Sequence, residues 1–140
     1  MKRETGFQSN RALPLNQMSQ SKRIVAAIDD LFFMVKVNDA AKAVGLQVEF
    51  ARSKDDALKR VQSAPKSCLA VVDLNAGQFG PIGLVAELKT LGVEVLAFLS
   101  HVNAELKLKA EEAGADRVLA RSALSQNLNA IVRDFSSAGE

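Results

Sequence analysis

Past residue 23 the chain switches five times between a short apolar run and a longer segment whose apolar residues recur every three or four positions. That alternation constrains the fold more than any single motif. Residues 24–28 (IVAAI) read as a first strand, after which Phe33, Val37, Ala40, Ala41 and Val44 keep helical spacing up to Gly45. Leu46, Val48 and Phe50 alternate with Gln47 and Glu49, which predicts a second strand with one wetter face. Ser53, with Asp56 three residues on, opens a second helix that Pro65 closes. Residues 68–73 (CLAVVD) form a continuous apolar run ending on a carboxylate, the pattern of a strand covered on both faces. Gly80 and Pro81 introduce a helix with Leu84, Val85, Leu88 and Leu91 along one stripe. Residues 93–99 make a fourth strand, and Asn103 caps a helix carrying Leu106, Ala110 and Ala113. Residues 118–120 make a fifth strand, and Ser122 is expected to cap a last helix that buries Leu124, Leu128, Ile131, Val132 and Phe135.

Five strand-helix units with short connections predict an α/β domain with a five-stranded parallel sheet and five helices on its two faces, because right-handed crossovers place them there. The alternating second strand suits a sheet edge, which favours the doubly wound, flavodoxin-like order 2-1-3-4-5. In such sheets, side chains at the carboxyl ends of the strands share a crevice at the switch point between strands 1 and 3. One domain is all that 140 residues support. Residues 22–136 are assigned to it, with 1–21 read as a disordered polar tail, 137–140 as a C-terminal tail, and Met18 as an alternative start.

The balance of 18 Lys and Arg against 16 Asp and Glu gives a net charge of +2, without the concentrated positive field of a nucleic-acid binder. No apolar stretch is long enough to cross a bilayer and the first 23 residues lack a secretory signal, so a cytoplasmic location is expected. The lone cysteine, Cys68, opens an apolar strand and reads as a small buried hydrophobe.

The order of elements brings chemistry to one edge of the sheet: Asp29 and Asp30 after strand 1, Asp73 at the end of strand 3, Ser100 after strand 4 and Arg121 after strand 5. Two carboxylates within about 4 Å repel by roughly 4 kcal/mol at an effective dielectric near 20, so three together call for a counter-charge or for protons. A hard divalent cation such as Mg²⁺ would meet that need and leave one carboxylate free to act on a phosphoryl group.

From residue 22 to 135 this arrangement resembles the receiver domain of two-component response regulators. The resemblance places the family's acidic pair on Asp29 and Asp30, its phospho-accepting aspartate on Asp73 and its hydroxyl residue on Ser100. Asn75 falls where a backbone carbonyl joins the metal shell, and Arg121, in GADRVLARS, where a lysine is expected. It implies a signalling module rather than an enzyme, with Mg²⁺ held by Asp29, Asp30, Asp73 and the Asn75 carbonyl. A histidine kinase or phosphotransfer protein would supply phosphate, and output would go by docking to a downstream protein, with neither nucleic acid nor membrane involved.

The chain departs from the family pattern in several places. Arg121 is longer and more planar than lysine. Ser122 replaces the usual proline, so a trans bond is expected before it. Val118 replaces the aromatic switch residue, and Leu31, Phe32, Phe33 and Met34 put apolar bulk directly after the acidic pair, with Phe32 or Met34 a candidate exposed contact. His101 reads as a solvated loop residue, and Lys107 and Lys109 with Glu105, Glu111 and Glu112 as the wet face of helix 4. Asp29 or Asp30 could also simply cap helix 1, so a second reading stands beside the first: a pseudo-receiver, a protein-binding module of the same fold that does not use phosphate. A nucleotide-binding enzyme is disfavoured, since strand 1 runs into Asp-Asp-Leu-Phe-Phe with no glycine-rich turn to admit a pyrophosphate.

Overall fold

The computed structural model describes residues 22–138. The readings made for residues 1–21, including the start at Met18, and for the last two residues lie outside them. The elements follow the predicted order: β1 (Arg23–Ala27), α1 (Leu31–Ala43), β2 (Gln47–Phe50), α2 (Lys54–Val61), β3 (Cys68–Asp73), α3 (Pro81–Thr90), β4 (Glu94–Leu99), α4 (Ala104–Glu112), β5 (Arg117–Ala120) and α5 (Arg121–Ser137). All neighbouring strands pair in parallel, in the order β2-β1-β3-β4-β5.

The side chains of the three inner strands, β1, β3 and β4, alternate between two cores. On one face Ile24, Ala26, Ile28, Val71, Leu96 and Phe98 pack against α1 and α5 through Phe33, Val37, Leu124 and Leu128. On the other, Val25, Ala27, Val72, Val95 and Ala97 meet α2, α3 and α4 through Ala57, Val61, Leu84, Leu88 and Ala110. All six residues of β3 are buried, as befits the central strand of a sheet covered on both sides. Cys68 is among them, and burial pushes its thiol pKa up, which suits a structural side chain.

Helix starts follow local chemistry. The Ser53 hydroxyl accepts from the Asp56 N–H (3.0 Å), and Asn103 Oδ1 accepts from the Leu106 N–H (3.0 Å). Gly80, at φ +53°, turns the chain into Pro81 at the head of α3, a left-handed backbone that side chains other than glycine's rarely tolerate. One predicted cap is corrected. Arg121 is already helical, so α5 begins two residues earlier than a Ser122 cap would place it, with Ala120 at its cap position and no capping side chain; Ser122 stands within the first turn, where its hydroxyl cannot serve as the N-cap. The last helix also includes Ser137, expected as the first residue of a tail. Leu91, placed on the buried stripe of α3, lies past the helix end and is partly exposed. No peptide bond among the described residues is cis, in keeping with the trans bond expected before Ser122.

Candidate functional site

Asp73 ends the central strand and is the one charged residue buried among the described residues, at 4% exposure. Its Oδ1 accepts the Asn75 N–H (2.9 Å), and the backbone N–H of Asp29 also donates to this carboxylate. Burial pushes the Asp73 pKa above the usual carboxylate range; the two N–H donors pull it back, the nearby charge of Asp29 adds to the rise, and Arg121 opposes it. β1 and β3 pair directly, with Ala27 beside Val72, which sets the residues following β1 next to the end of β3.

Asp30 is used differently. It is the N-cap of α1: its Oδ1 accepts from the N–H groups of Phe32 (2.9 Å) and Phe33 (3.2 Å). Its Oδ2 forms an ion pair with the guanidinium of Arg121. That guanidinium lies over the ring of Phe33, 5.4 Å from its centroid, and Phe33 in turn packs against Phe98 with ring centroids 4.8 Å apart. The first turn of α5 is thus tied to the first turn of α1 by charge, over an aromatic support.

Ser100 follows β4 at the exposed rim, with its backbone N–H donating to the Asn75 side-chain oxygen (2.7 Å). The Asn75 carbonyl is the group the sequence points to, and nothing in the sequence signals this use of its side chain. Val118 is half-buried and lines, with Leu99, His101, Val102, Asn103 and Lys107, a mainly apolar groove of about 240 Å³ between β5 and the start of α4. Phe32, 81% exposed, is the outward side chain of the apolar group after the acidic pair, and Met34 is half-buried.

The expected shell of Asp29, Asp30, Asp73 and the Asn75 carbonyl is not assembled as a cation site. Among the described residues no three His, Cys, Asp or Glu side chains group so as to hold a metal ion. The physical reason is Asp30: one of its oxygens takes two N–H groups and the other pairs with a guanidinium, so both are already engaged and a divalent ion would meet a fixed positive charge there. The donor set therefore does not fit Mg²⁺ as the side chains stand.

Asp73→Asn is expected to stabilise the fold near neutral pH by on the order of 1 kcal/mol, as removal of a buried functional charge commonly does. The sign follows from the raised folded-state pKa: this group's contribution to stability is complete below its unfolded pKa, near the ordinary aspartate value of 3.8, and is lost as pH rises through the folded value. The gain of the asparagine variant should accordingly shrink as pH is lowered toward that value, and urea midpoints across the range check it.

No protein-family model matches the chain, and no curated protein matches it. Solved structures do. A response regulator protein from Burkholderia pseudomallei, which carries a phosphorylated aspartic acid, a calcium ion and citrate, is 26% identical, with 83% of this chain and 69% of that chain covered and a TM-score of 0.67. A response regulator receiver domain protein from Clostridium thermocellum is 16% identical over 82% of this chain and 94% of its own, at a TM-score of 0.68. A response regulator from Thermotoga maritima is 18% identical, with coverages of 84% and 99% and the same TM-score. The strand order and these neighbours agree: the chain has the fold of the response-regulator receiver domains.

Proposed function

We propose that this chain is a receiver module of a phosphorelay that accepts a phosphoryl group on Asp73 and signals by docking to another protein. The observation that carries the reading is the buried Asp73 carboxylate at the carboxyl end of the central strand, with its pKa raised. A fold keeps such an unfavourable group where chemistry uses it. An oxygen of Asp73 attacks the phosphorus of a phosphohistidine on a kinase or phosphotransfer protein; the P–N bond breaks and its electron pair returns to the imidazole. A small acyl phosphate would react likewise, losing its carboxylate. Ser100, just after β4, is the hydroxyl at this edge for the phosphate oxygens, and Arg121, just after β5, is the cation, which would have to share its guanidinium with Asp30. Phe32 and Val102, both strongly exposed near the carboxyl edge of the sheet, favour protein docking as output. No helix among the described residues is long and apolar enough to cross a membrane.

The pseudo-receiver reading keeps one specific support, the commitment of Asp30 to the α1 cap and to Arg121. Incubation with Mg²⁺ and acetyl phosphate, or with Mg²⁺ and a beryllofluoride mimic, separates the two. A phosphoryl adduct seen by intact mass in the wild type and lost in Asp73→Asn supports the acceptor reading. Absence of both the adduct and mimic-induced NMR shifts leaves the docking module without phosphate.

A further inference from the structure

We infer that the guanidinium of Arg121 is the resident counter-cation of this acidic pocket, and that it excludes a divalent ion from it. Three carboxylates approach one edge of the sheet, and some positive charge must offset them. Arg121 is placed to do so by three independent features. It opens α5, so its backbone is fixed by the helix. Its ion pair takes the Asp30 oxygen that the helix cap leaves over. Its flat face rests on Phe33, itself wedged against Phe98, so the guanidinium is held from below as well as from the side.

The residue type matters. An arginine stays charged at every relevant pH and sheds its hydration more readily than an ammonium, so it suits a half-buried ion pair. A hard divalent ion demands several oxygen ligands and dehydrates reluctantly. To bind here it would have to displace the guanidinium from Asp30, or make do with Asp29 and Asp73 alone beside a fixed positive charge. Both routes weaken its affinity. The pocket has exchanged a soluble cation for a covalently attached one.

The test reads cation binding directly, on the full chain, by titrating Mn²⁺ against paramagnetic broadening of backbone amide signals and Mg²⁺ against calorimetric heat. Arg121→Gln is the main variant, since it removes the charge while keeping a long side chain over Phe33, and Arg121→Ala is the second. Amide spectra first establish that both fold. The wild type is expected to show only weak, non-saturating binding, with affinity rising at least about tenfold in Arg121→Gln once the repulsive charge is gone. Adding Asp30→Asn to the variant should abolish the gain. Saturable binding by the wild type as tight as by Arg121→Gln overturns the inference, and so does equally weak binding by both. The inference shares its pocket with the acceptor reading but not its readout: failure of Asp73 to take phosphate leaves the cation comparison unchanged, and phosphorylation of the wild type does not by itself decide it.

Discussion

Asp30→Ala is expected to destabilise the domain by about 1–3 kcal/mol, against less than about 1 kcal/mol for Asp30→Asn. The two variants differ because Asp30 does two jobs that chemistry can separate. The alanine removes both the acceptor for the Phe32 and Phe33 N–H groups and the partner of Arg121. An asparagine caps a helix about as well as an aspartate, so only the ion pair is lost, and that pair is partly exposed, with side-chain exposures of 38% for Arg121 and 27% for Asp30. Urea denaturation gives the difference, and hydrogen exchange at Phe32 and Phe33 locates it. Equal losses in both variants would mean that the charge, not the cap, dominates.

A larger loss, about 3–5 kcal/mol, is expected for Phe33→Ala. Phe33 is 1% exposed, touches Phe98 across the α1 face of the sheet, and supports the Arg121 guanidinium. Its removal leaves a cavity among β-strand and helix side chains that cannot close up, and the loss is a large share of the total stability of a domain of this size, about 5–15 kcal/mol. Phe33→Leu provides the finer measurement. It fills most of the space, so the fold should survive, but it takes the aromatic face from beneath Arg121. Thermal unfolding is expected to show a much smaller loss than for alanine, while the guanidinium NMR signals of Arg121 shift or broaden. A leucine variant with unchanged Arg121 signals would show that the ion pair alone holds the guanidinium.

The sheet order was legible because it depends on patterns that the sequence displays openly: apolar runs of strand length, helical spacing between them, and an alternating second strand that suits the edge. β3, buried at all six positions, is the clearest case. The Ser53 and Asn103 caps were equally plain, because a cap is a local matter of one side chain and an N–H two or three residues away. Ser122 failed by the same token: its residue type favours a cap, but Arg121 already adopts helical geometry, which no local preference of Ser122 reveals. The site was legible as a set of residues at one edge and not as an arrangement. Nothing in the order of residues tells whether Asp30 faces Asp73 or turns back onto its own helix, since that is decided by the free N–H groups of α1 and by a guanidinium that arrives 91 positions later. Asn75 likewise showed its place in the loop but not the use of its amide.

That amide has a mechanical consequence. The Asn75 backbone holds one oxygen of Asp73 while its side chain holds the backbone of Ser100, so a single residue spans the gap between the third and fourth strands like a crossbar. A group added to that aspartate oxygen is expected to disturb the first of these bonds, and a shift of the Ser100 amide signal would report its passage toward the loop leading into α4. These two hydrogen bonds join the buried end of the central strand to the exposed rim after β4.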